Sequence, residues 1–226
     1  MIMISKIQSM FKKKMPKKNA TEHLWELFKN EKYDEVIKGA DRFLNHKSDV
    51  LTKDALKLTG LSLFRKSQYR EALSYFQDAS KIKAEVNDWF NIVTSATLSR
   101  NIKVGSSAFD KAIQLRFKSE NNEQPSIPFM RQYYACALRD VSEHKLALIQ
   151  INELRKIYEQ LKITDSTFLY LRGVPFLSHT MDVAVDVFKG LGRDFSAKEW
   201  IDDFAKKLDE EGQQYLIEVQ KTLNAA

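Results

Sequence analysis

The stretch ALKLTGLSLFRKSQYREALSYFQDASKIKA, Ala55 to Ala84, decides the fold. Its apolar residues recur every three or four positions: Leu58, Leu61 and Phe64 in the first half, then Tyr69, Ala72, Leu73, Phe76, Ala79 and Ile82 in the second. That spacing places side chains on one face of an α-helix. Lys66, Ser67 and Gln68 interrupt it, so the stretch predicts two amphipathic helices joined by a tight corner. Gly60, Ala72 and Ala79 are small where two helix backbones must approach closely, and a larger side chain there would push the pair apart.

The same frame recurs on both sides. Upstream, Leu24 to Leu44 puts Tyr33, Val36 and Ala40 where Tyr69, Ala72 and Phe76 stand. Downstream, Ala96, Ala108, Ala112 and Leu115 mark a third copy, and Ala135, Leu138, Ala147, Ile151 and Leu154 a fourth. The anchor positions Val36, Ala72, Ala108 and Ala147 lie 36, 36 and 39 residues apart. A fifth, degraded copy runs from Thr167 to Leu191. Gly173-Val174-Pro175 breaks its first helix, and a second helix follows from Phe176 to Lys189. Ser196 and Glu199 then have capping-box spacing and open a helix through Trp200, Phe204 and Leu208. A last helix, Gln213 to Leu223, would cover the end of the stack.

Gly60, Tyr69, Ala72, Phe76 and Ala79 fall on a small–aromatic–small–aromatic–small spacing, and in these residues the chain resembles the tetratricopeptide repeat (TPR) family, whose period is about 34 residues. The proline usual after the second helix is replaced by Ala84. The longer spacing places extra residues in the turns around Asn45–Asp49 and Asn121–Pro128. The resemblance implies an all-α solenoid of four to five helix-turn-helix repeats. Residues 1–20 would be a basic tail, 21–190 the repeat array and 191–226 capping helices.

It also implies a concave surface lined by the first helix of each repeat. Counted from Gly60, the candidate partner-binding groove is Trp25, Phe28, Leu61, Phe64, Arg65, Phe90, Arg100, Phe129, Tyr133 and Arg139, with Leu58, Val93, Thr97, Cys136 and Asp140 also facing inward. Aromatic and arginine side chains are the energetic anchors of protein interfaces. The expected partner is therefore a protein offering an apolar or amphipathic segment with acidic residues to meet Arg65, Arg100 and Arg139. The bland alternative is that each aromatic merely closes a helix–helix seam. Some family members clamp a C-terminal carboxylate; the clamp positions fall here on Lys18, Glu22, Leu58, Phe90 and Thr94, and Glu22 would repel it. That mode is not expected.

Charge and composition narrow the function further. The net charge is +6, but Lys6, Lys12, Lys13, Lys14, Lys17 and Lys18 stand in residues 1–20 with no acid among them. The other 30 of the 36 bases balance the 30 acids, so the body is neutral and no nucleic-acid partner is expected. A single cysteine, Cys136, allows no internal disulfide. With no membrane span and no secretory signal evident, a cytoplasmic location is predicted. His23, His46, His144 and His179 lack a metal or acid–base companion at a recognisable spacing, and no HExxH, paired CxxC, phosphate loop or GxSxG occurs. The expectation is a non-enzyme with no cofactor and no metal.

Within that class, one reading is an adaptor. Another is a dedicated neutralising partner: an immunity protein blocking a toxin, or a chaperone for a secreted protein. Occupying a surface is all that such work requires, and the Lys-, Ile- and Asn-rich wording suits a bacterial gene. A third reading gives residues 1–18 weak contact with an anionic membrane, because Met3, Ile4, Ile7, Met10 and Phe11 form an apolar stripe before the lysines. Set against it are a disordered leader and a true start at Met10 or Met15.

Overall fold

The computed structural model describes residues 20–119, 124–192 and 195–224. Among them every regular element is helical, so the chain is all-α. It divides into two compact units between Lys83 and Ala84. The basic tail assigned to residues 1–20 lies outside the described residues apart from Ala20.

The first unit contains α1 (Glu22–Lys29), α2 (Tyr33–Ala40), a 3-10 turn (Asp41–Phe43), α3 (Asp49–Arg65) and α4 (Tyr69–Lys81). Leu24, Val36, Ala40, Ala55 and Leu58 form a fully buried core with Phe43 at its edge. Ala72, Phe76 and Ala79 bury the inner face of α4. Two glycines let the backbones approach. A Cβ on Gly60 would stand 2.7 Å from the Phe76 ring, and one on Gly39 would stand 2.6 Å from Leu24. The start of α1 is tied to α3 by the buried Thr21 hydroxyl, which donates to Asp54 at 3.0 Å.

The second unit contains α5 (Val86–Leu98), α6 (Ile102–Lys118), α7 (Ile127–Asp140), α8 (His144–Leu161), α9 (Ser166–Leu171), α10 (Leu177–Leu191), α11 (Ala197–Ala205) and α12 (Glu210–Asn224). Helix α5 packs on α6, α7 on α8, and α10 on α8. Starts are capped as elementary helix chemistry asks. The Ser126 hydroxyl accepts from the Phe129 N–H, Asp165 from Phe168, and Ser196 from Glu199, while Glu85 and Asp88 cap each other's backbone at α5. Asp209 holds the start of α12 by accepting from the Gly212 N–H and from the N–H and hydroxyl of Thr164.

Five corners share one geometry. Glu31, Ser67, Arg100, Ser142 and Gly173 take left-handed φ values of 59°, 59°, 65°, 66° and 67°. The N–H of each donates to the carbonyl three residues back, and the next N–H to the carbonyl five before it; Ser67 N–H reaches Phe64 O and Gln68 N–H reaches Leu63 O, both at 2.9 Å. This Schellman pair satisfies carbonyls that a helix end leaves open, and it turns the chain back into a second helix. Only the last corner uses glycine; the others hold an L residue at a cost of about 1–2 kcal/mol. At the last corner Pro175 keeps α9 from running into α10, so the pair is a six-residue helix and a fifteen-residue one.

One buried polar chain ties the helices that follow. The Tyr158 hydroxyl, on a residue with no exposed surface, donates to the Pro175 carbonyl at 2.8 Å and lies 2.8 Å from the Thr180 hydroxyl. Thr180 in turn bonds Gln132 at 2.8 Å, and the Gln132 amide donates to His179 O at 2.9 Å. Each group in this chain is paired, which is what a dry interior requires.

Candidate functional site

None of the ten groove candidates is buried. In the first unit Trp25 and Phe28 lie on α1, in edge-to-face contact at 6.1 Å, and Phe28 meets Tyr33 at 5.6 Å. Leu61, Phe64 and Arg65 lie on α3; Phe64 meets Tyr69 at 5.2 Å, Leu61 and Phe64 are half-buried, and Arg65 is exposed. These aromatics cover the hairpin corner with one edge and meet water with the other.

In the second unit Phe90 on α5 and Tyr133 on α7 form an edge-to-face pair at 6.1 Å, with Tyr133 57% exposed. Phe129 is half-buried one turn before Tyr133. The helical faces behind them carry the core: Ile92, Ala96, Met130 and Leu138 are essentially inaccessible.

Four sequence assignments need correction. Leu58, Val93 and Thr97 are buried, so they pack the interior and do not face inward to a groove. The Thr97 hydroxyl donates to Val93 O at 2.7 Å, beneath Gly105. Arg100 does not belong to α5: it is the left-handed corner residue, and its guanidinium donates to Val141 O at 3.3 Å.

The two candidate arginines of the second unit, Arg100 and Arg139, are engaged within the chain. Arg139 bonds Asp140 at 2.8 Å and Asp186 on α10 at 3.2 Å. Burial lowers the Arg139 pKa, and the hydrogen bond and charge of Asp140, with Asp186 beside it, more than offset that. An acidic ligand would have to displace those carboxylates. Burial pushes the nearby Cys136 thiol up, so it is a poor thiolate near neutral pH. No group of histidine, cysteine or acidic side chains among the described residues is arranged to hold a metal ion. His144 packs its ring against Gly190, where a Cβ would collide with it.

Two surface residues escaped the sequence frame. Tyr170 and Leu171 on α9 are 65% and 77% exposed. Tyr170 stands three residues before its corner, as Phe28 and Phe64 do before theirs. Alignment on the corner residue would have revealed them; alignment on the small residues of the second helix hid them behind Pro175.

No helix among the described residues is long and apolar enough to cross a membrane, and the stripe assigned to residues 1–18 lies outside them. Comparison of the chain with protein-family models, with curated proteins and with solved structures finds no match.

Proposed function

We propose that the chain is a TPR-like repeat protein, four to five helix-turn-helix repeats with a helical cap, whose work is to hold a partner protein without chemistry. The observation that carries this is the Phe90–Tyr133 pair. Two aromatic rings from successive first helices lie edge to face at 6.1 Å, and one of them keeps 57% of its surface in water. Left exposed, such surface stabilises nothing; covered by a partner, it forms an anchor. Phe64 and Tyr69 make a comparable pair in the first unit. The ligand this suits is an apolar or amphipathic segment. Arg65 is the exposed guanidinium placed to meet an acidic residue on it.

Affinity capture of the tagged full chain from its own cells tests this, with Tyr133→Glu and Phe64→Glu run in parallel. Loss of a buried aromatic anchor costs about 2 kcal/mol or more, roughly 30-fold in affinity. A stoichiometric partner present with the parent chain and lost with either variant, at unchanged helical circular dichroism, supports the proposal. A toxin or a secreted protein as that partner would select the neutralising role, and several components of one assembly would select the adaptor role. The same captured set with parent and variants would remove these faces from consideration.

A further inference from the structure

Helices α8 and α11 border a cleft that shares no lining residue with the groove candidates. Its wider part, about 740 Å³, is lined by Lys156, Glu159, Lys162, Lys206, Lys207 and Asp209. A second part of about 520 Å³ shares Lys156, Glu159 and Lys207 and continues past Arg155 to Trp200 and Ile149. Ile149 is 52% exposed there.

The carboxylates of this cleft are already committed. Glu159 accepts from Arg155 at 2.6 Å and lies 3.4 Å from Lys207. Glu153 bonds Lys156 at 2.6 Å, and that hydrogen bond holds its carboxyl below the usual range. Asp209 is spent on Thr164 and Gly212. Asp203, at the rim, pairs with Arg155 and lies 3.1 Å from Lys207. Lys162 and Lys206 are exposed, and among the described residues neither forms an ion pair. Arg155 lies 4.8 Å over the Trp200 ring, and the Trp200 indole donates to Asn152 at 2.8 Å. The cleft thus has an apolar end at Ile149 and Trp200 and, at the other, two cations outside any ion pair among the described residues.

From Ile149 to Lys162 along α8 is about 20 Å, the length of about six residues of extended chain. We propose that this cleft binds an acidic linear segment of a partner protein, with an apolar side chain against Ile149 and Trp200 and carboxylates against Lys162 and Lys206. The site is separate from the aromatic faces, so either can fail without the other.

The test is fluorescence anisotropy of the full chain with a fluorescein-labelled hexapeptide carrying leucine at one end and glutamates at the other. The parent chain should bind it with a Kd below about 100 μM at low salt. Lys162→Glu with Lys206→Glu should raise Kd at least tenfold, and Ile149→Asp at least threefold, with helical circular dichroism unchanged because all three side chains are exposed. Replacing Lys12, Lys13 and Lys14 by serine should leave Kd as it was. No binding by the parent chain, equal binding by the double variant, or loss of binding with the serine variant alone overturns the proposal. So does equal binding of a peptide without leucine fully displaced by tripolyphosphate, which would make the site a simple anion trap.

Discussion

Replacing Tyr158 by phenylalanine removes one oxygen from the centre of the second unit and leaves the Pro175 carbonyl without its donor. The residue has no exposed surface, and both its hydrogen bonds are 2.8 Å long. Leaving a buried acceptor unpaired costs about 1–3 kcal/mol, and Thr180 keeps its bond to Gln132, so a loss of about 2 kcal/mol is expected near neutral pH. The pH dependence gives a second, independent reading. Burial pushes the Tyr158 phenol above its ordinary value, only partly offset by the Thr180 hydrogen bond. The folded state therefore keeps a proton that the unfolded chain releases above about pH 10. Stability from this group is whole below that pH and falls by about 1.4 kcal/mol per unit above it. The gap between parent and Tyr158→Phe should narrow from about 2 kcal/mol at pH 8 to under about 1 kcal/mol at pH 11. Urea unfolding at pH 8, 10 and 11, followed by circular dichroism and by tryptophan emission, measures it. A variant as stable as the parent, or a gap that stays constant to pH 11, would refute the reasoning.

Three further outcomes follow from the same physics. Ser67→Gly or Ser142→Gly relieves a left-handed L residue and should raise stability by about 0.5–1 kcal/mol, a Tm gain of about 1–4 °C by calorimetry. Gly60→Val sets a branched side chain against a ring 2.7 Å from its Cβ and should cost about 1–3 kcal/mol in thermal melts; an unchanged melt would mean that α3 and α4 do not approach as described. Asp209→Ala removes the cap of α12 and should cost about 1–2 kcal/mol. Burial alone would raise the Asp209 pKa, but hydrogen bonds from Thr164 and Gly212 hold it low, so this contribution persists above the ordinary carboxylate range and is lost as pH falls through the depressed value. Parent and variant should converge in acid melts once the pH is below the ordinary carboxylate range and the Asp209 carboxyl is protonated in the folded chain.

The helix pairs were legible because their signal is local. Val36, Ala72, Ala108 and Ala147, chosen as anchors by spacing alone, are all buried, and the break at Gly173–Pro175 and the helices after it lie close to where residue chemistry puts them. Surface positions were less legible. Leu58, Val93 and Thr97 have the helical spacing of their exposed neighbours, and only the packing of a second helix decides which side of a wide apolar stripe is covered. Arg100 was misplaced because a non-glycine residue in a left-handed corner leaves no mark in the sequence. The α8–α11 cleft was invisible for another reason: Arg155 is 45 residues before Trp200 in sequence and meets it only through tertiary contacts. The division at Lys83 and Ala84 falls inside what periodicity presents as one array.

The measurement that tests the central claim most directly is oxidative footprinting of the full chain with and without its captured partner, read by mass spectrometry at single residues. Partner binding should lower the oxidation of Tyr133, Phe64 and Trp25 several-fold while leaving the exposed Ile217 on α12 unchanged. Equal oxidation of Tyr133, Phe64 and Trp25 in the free and bound chain would contradict the claim that these first-helix faces hold the partner.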